Sequence, residues 1–142
     1  MTGDPIVRAS AGRRLFLWAP VVAMLLVQVV LSSRSQLPPL PLLPYIPGSD
    51  KILHASWFFL LGLLAYRAAR NGEGWPRRRT TLLLILGALL WGISDEAHQF
   101  LVPGRDVEAA DVAADVAGAA VAAVVAEPLL RRLRLSAVPP PS

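Results

Sequence analysis

Four long apolar stretches follow one another along the chain, at residues 15–31, 52–69, 81–100 and 109–126, and they constrain its folding more than any other feature. A hydrocarbon core about 30 Å thick takes roughly 17–25 residues of helix, so each stretch is long enough to cross it. Lipid offers the backbone no hydrogen-bond partner, and a lone crossing segment meets that constraint as a helix. The expected fold class is all-α: a polytopic membrane protein with four transmembrane helices. Composition agrees, with 54% hydrophobic and 17% charged residues, where a soluble domain carries about 25% charge. With 142 residues there is room for one domain.

The first stretch follows Arg13 and Arg14 and is interrupted only by Pro20 and Gln28, which gives it the outline of a signal peptide. Its exit, Ser-Ser-Arg-Ser-Gln, lacks a clear small-x-small cleavage site, and three further spans follow, so an uncleaved helix is expected. Residues 36–48 hold five prolines, which lack the amide donor and fix φ, so an extended or turn-rich connection is expected there. Ser49 or Asp50 then reads as an N-cap. Asn71-Gly72 and Trp75-Pro76 mark the next loop, and Pro103-Gly104 a tight turn that makes the last two helices an antiparallel hairpin. The fourth helix is expected to end near Glu127-Pro128 or to continue to the arginines. Residues 1–14 read as a cytoplasmic N-terminus, 15–130 as the bundle, and 131–142, ending in Pro-Pro-Pro-Ser, as a disordered cytoplasmic tail.

Charge assigns the sides. Eleven of the 14 Lys and Arg residues flank the spans on one side, and only Arg34, Lys51 and Arg105 fall on the other. This positive-inside bias places both termini on the cytoplasmic side (N-in/C-in), as in an inner-membrane-type protein. The net charge of +4 does not point to nucleic acid, because the arginines sit beside apolar spans rather than forming a basic face with aromatics. With no cysteine, disulfides and thiolate metal sites are excluded.

Acidic residues show the opposite bias. Asp50, Asp95, Glu96, Asp106, Glu108, Asp111 and Asp115 fall at or near the outer ends of the last three helices, together with His54 and His98, the two histidines. An ionisable group at the bilayer centre costs about 2.5–3.5 kcal/mol even on lenient insertion scales. Several such groups at similar depth are therefore expected to face one another or a wet cavity. Helical spacing puts Lys51 and His54 on one face, Asp95 with His98 and Gln99 on another, and Glu96 away from His98. Asp111, Asp115 and Gly118 form one stripe, whose glycine permits a close helix approach. Individually, Asp50 and Glu108 also suit helix ends, Lys51 suits snorkelling, Arg105 and Asp106 suit a loop, and His54 suits a structural hydrogen bond. Trp18, Trp75 and Trp91 fit interfacial or packing roles, and the alanine-rich 109–126 stretch fits tight helix packing.

The segments Asp50-Lys51-Ile52-Leu53-His54, Ser94-Asp95-Glu96-Ala97-His98-Gln99-Phe100, Pro103-Gly104-Arg105 and Asp111 through Gly118, in this order, resemble the VanZ-like family over about residues 45–125. The resemblance implies a small multi-helix bacterial membrane protein, of a family whose founding member is associated with low-level teicoplanin resistance and for which no reaction is established. One position departs from the family pattern. Its last block usually reads D-x-x-x-N-x-x-G, and Asp115 stands here where the asparagine is usual, which weakens any transfer of chemistry to that position.

The candidate polar site thus comprises Lys51, His54, Asp95, Glu96, His98, Gln99, Arg105, Asp111 and Asp115. Its expected partner is a membrane lipid, a lipid-linked envelope precursor or a lipid-bearing glycopeptide, with Lys51 and Arg105 on anionic groups. An alternative is a hydrolase or transferase of lipid substrates, with His54 or His98 as general base, Asp95 or Asp111 orienting it and Arg105 stabilising charge. A structural or proton-relay role ranks third. No cofactor is expected. His54, His98, Asp95 and Asp111 are the residue types a divalent metal would use, but at a spacing unlike any compact metal motif. The sequence leaves oligomeric state open.

Overall fold

The computed structural model describes residues 9–35, 48–133 and 135. Within them the chain is four helices and no strand: α1 (Ala11–Ser32), α2 (Ser49–Asn71), α3 (Arg77–Gln99) and α4 (Ala109–Arg132). All four are long and apolar enough to cross a membrane. Each extends beyond the apolar stretch that announces it, except that α3 stops one residue short at its far end. Helix continues into polar flanks because it keeps backbone groups paired where the chain leaves hydrocarbon. The proline-rich connection at 36–47 and the tail from 136 onward lie outside the described residues.

One expectation about helix ends is corrected, and one left open is decided. Gly48, not Ser49 or Asp50, is the N-cap of α2; its φ of 73° is a left-handed conformation that suits glycine, and Ser49 and Asp50 lie inside the first turn. Of the two ends expected for α4, the structure has the longer: the helix passes Pro128 and continues to the arginines, ending at Arg132. A proline in the last turns removes one amide donor, which a helix bounded by neighbours tolerates.

The core is built on α2 and α4, whose contact is the most extensive in the bundle, with α3 packed beside α4. Small residues set the spacing. A Cβ on Gly62 would lie 2.7 Å from the Ala122 side chain, and one on Gly118 would lie 2.1 Å from the Ala55 carbonyl oxygen. The buried alanines Ala119, Ala122, Ala123 and Ala126 line the same seam, as expected for the alanine-rich stretch. In lipid the gain comes from van der Waals packing of closely approaching backbones, which larger side chains would hold apart. α1 leans mainly on α2 and touches α3 only lightly. The turn at Pro103-Gly104, with Gly104 at φ 80°, closes α3 and α4 into the expected antiparallel hairpin.

Candidate functional site

The close α2–α4 seam decides what lies at the acidic end of the bundle. His54 is about 8 Å along α2 from its start, and Asp115 about 9 Å along α4, which runs parallel to α2 and starts at the same end, at 1.5 Å per residue. With Gly118 allowing the approach, His54 Nδ1 comes 2.9 Å from Asp115 Oδ1. Asp115 is 1% exposed, and a Cβ on Gly92 of α3 would lie 3.0 Å from its Oδ2, so the carboxylate is held between three helices. The other imidazole nitrogen, Nε2, points towards Asp111 Oδ2 at 3.7 Å, beyond hydrogen-bonding distance.

One turn nearer the helix end, Lys51 is ringed by carboxylates. Its ammonium donates to Asp50 and Glu108 and lies 2.9 Å from Asp111 Oδ1. Among the described residues, Asp50, Glu108 and Asp111 are the imidazole or carboxylate group whose ligand atoms all fall within 4.8 Å of one another. Lys51 supplies the positive charge there. Glu108 occupies the N-cap position of α4 without capping it; its side chain goes to Lys51, while its backbone amide donates to Glu96 Oε2 at 2.8 Å. That bond ties the α3–α4 connection back onto α3.

A second network joins α1, α2 and α3. The Trp57 indole donates to Gln28 Oε1 at 3.2 Å, and Gln28 Nε2 donates to Asp95 Oδ2 at 3.2 Å. Gln99, 2% exposed, donates to the same Asp95 oxygen at 3.1 Å and accepts two hydrogen bonds from the Arg105 guanidinium at 2.8 and 3.2 Å. Arg105 thus rests on an amide oxygen, and among the described residues no carboxylate pairs with it. Within this second network Gln28, Asp95 and Gln99 are all hydrogen-bonded, as a low-dielectric interior requires.

Every residue of the candidate site lies at this one end, from Lys51 on α2 to Asp115 on α4, but not all share one pocket. Lys51, His54, Asp111 and Asp115 meet at the α2–α4 seam. Asp95, Gln99 and Arg105 form the second network, with the Asp95–Gln99 pair that helical spacing predicts. His98 departs from expectation: its Nε2 lies 2.9 Å from Ser33 Oγ at the end of α1, and it is exposed, so it joins neither Asp95 nor His54. The potential metal ligands His54, His98, Asp95 and Asp111 are accordingly split among three places.

Sequence reasoning passed over Gln28, Ser33 and Trp57, which bind the site to α1. A glutamine inside an apolar span is a legible signal, since an amide in lipid needs partners; which helix supplies them is not legible. It also passed over the arginine-rich end. There Glu127 accepts from Tyr66 Oη at 2.9 Å and pairs with Arg70 and Arg131, while Glu73 accepts from Arg14 and the Trp18 indole.

Comparison with curated proteins yields no match, and neither does comparison with solved structures. The family model described as VanZ/LLP1 matches residues 13–131, a range that takes in all but the first two residues of α1, the last of α4 and every residue of both networks. With four membrane-length helices and most of the sequence inside that match, the chain is a multi-pass membrane protein of the VanZ/LLP1 family.

Proposed function

We propose that the acidic end of the bundle faces the outside of a bacterial plasma membrane and binds the polar head of a membrane lipid or lipid-linked envelope precursor, contributing to teicoplanin tolerance. The carrying observation is the split of roles among its cations. Lys51 is neutralised by three carboxylates, whereas the half-buried Arg105 guanidinium is oriented by Gln99 and keeps its charge for an external anion. A planar guanidinium positioned by a buried amide suits bidentate recognition of phosphate or carboxylate.

One observation favours a second reading, acid–base chemistry on a lipid substrate. Buried Asp115 anchors Nδ1 of His54, which fixes the ring and leaves Nε2 without a hydrogen bond among the described residues. A histidine oriented through one nitrogen and unengaged at the other is arranged as a general base, able to take a proton at Nε2.

Both readings are tested by single replacements Arg105→Gln, His54→Ala, Asp95→Asn, His98→Ala and Asp111→Asn, scored for teicoplanin tolerance against the amount of protein in the membrane. The binding reading expects Arg105→Gln to lose tolerance at normal membrane levels, with His54→Ala milder. Loss at His54 with Arg105→Gln unaffected would transfer support to the chemical reading. Full tolerance in all five variants would defeat both.

A further inference from the structure

At the opposite end from the networks above, the light contact between α1 and α3 leaves a groove of about 260 Å³. Its walls come from α1 (Trp18, Leu25) and α3 (Leu84, Trp91), and its floor from α2 (Phe58, Leu61). The lining is almost wholly apolar. Leu83 and Gly87 on the α3 side of its rim are exposed, so the groove opens sideways, where this chain meets lipid.

Its position along the bundle is asymmetric. On α3 the lining runs from Thr80 to Trp91, about 16 Å of helix rise that starts near the arginine-rich end and stops short of Asp95. The Trp57–Gln28–Asp95 bridge lies about one turn beyond Leu25 and Trp91 and ties α1 to α3 there. The mouth near Trp75 and Thr80 is basic: Arg77, Arg78 and Arg79 are exposed, Arg79 lies over the Trp75 ring at 4.4 Å, and no carboxylate pairs with these three arginines among the described residues.

We infer that this groove holds an acyl chain of an anionic glycerophospholipid from the leaflet at the arginine-rich end, with its phosphate on Arg77 and Arg78. Shape and charge agree on that occupant. A narrow apolar trough half a membrane deep accepts a hydrocarbon chain. Arginines at its mouth that no carboxylate pairs with among the described residues attract an anionic head, and basic pockets between membrane helices are known to select such lipids. The site is independent of the Arg105 and His54 readings.

Three of the four tryptophans, Trp18, Trp75 and Trp91, line the groove, so lipid carrying bromine in its chains reports its occupancy by quenching. The full chain is reconstituted in mixed vesicles where either phosphatidylglycerol or phosphatidylcholine, at equal mole fraction, bears the bromine. Phosphatidylglycerol is expected to quench as a ligand roughly fivefold or more preferred, at about one such factor per arginine near the surface. Gly87→Phe adds a ring to the groove lining at a position where a Cβ meets nothing within 4 Å, and should abolish the preference. Arg77→Gln with Arg78→Gln should abolish it too, while the corresponding lysine pair retains it. Equal quenching by the two lipids in the wild type would overturn the inference. So would a preference that survives Gly87→Phe or the glutamine pair, with helix content unchanged by circular dichroism.

Discussion

Asp115 stands where hydrocarbon would be expected to reject a carboxylate, and its surroundings explain why it persists. It lies against His54 Nδ1 on one side and the glycine gap at Gly92 on the other, so an oxygen that would otherwise be stranded has a partner. An asparagine, the usual residue in the family pattern, keeps an oxygen able to accept from Nδ1–H. Asp115→Asn is therefore expected to retain stability and teicoplanin tolerance, whereas Asp115→Ala frees the imidazole and costs about 1–3 kcal/mol. Thermal unfolding in detergent and the tolerance assay check this together. If the asparagine variant is as impaired as the alanine variant, the negative charge matters rather than the hydrogen bond. Residue-scale reading of the sequence succeeds here in part. The i, i+4 stripe places Asp111 and Asp115 on one face, but the identity of the partner across the seam is a matter of which helix sits opposite.

At the scale of elements, the α2–α4 seam is the device that assembles the site. A Cβ at position 118 would fall 2.1 Å from a backbone oxygen of α2, which no side-chain rotation relieves. Gly118→Ala must push the helices apart, at an expected cost of about 1–3 kcal/mol, as for overpacking of a filled interior. Because Lys51 and His54 reach Asp111 and Asp115 only across this seam, the variant should also lose tolerance out of proportion to the drop in its membrane level. Gly87→Ala, where a Cβ meets open space, serves as the control with neither effect. The helices themselves were legible from apolar length, and their ends less so. Gly48 takes the cap of α2 because a left-handed residue turns the chain into the helix, a requirement that Ser49 and Asp50 appeared to satisfy by side-chain chemistry alone.

For the whole molecule, two polar ends of different character are separated by an apolar middle. One carries seven of the ten acidic residues, the other most of the arginines. The arginine end is closed by the Glu127 and Glu73 pairings, which read as fastenings of α1, α2 and α4. The positive-inside bias predicts that this end faces the cytoplasm. The chain has no cysteine, so single cysteines at Ser33, Gly74 and Asp106 provide a clean test. A membrane-impermeant thiol reagent applied to intact spheroplasts should label positions 33 and 106 and spare 74; the reverse pattern would place the Arg105 network on the inner face and remove the envelope-precursor reading.

Apolar length and charge distribution by themselves determined the number of crossings, the class of fold and the end at which the ionisable residues gather, because transfer to lipid acts on each segment whatever its neighbours do. Spacing along single helices also determined which side chains share a face: Lys51 with His54, Asp95 with Gln99, Asp111 with Asp115. The tertiary structure alone decided the rest. It set α4 rather than α3 against His54, turned His98 to Ser33, enlisted Gln28 and Trp57, and left the groove between α1 and α3. Those outcomes depend on how closely two backbones approach, and that distance is set jointly by small residues on both helices, which one-dimensional periodicity does not pair.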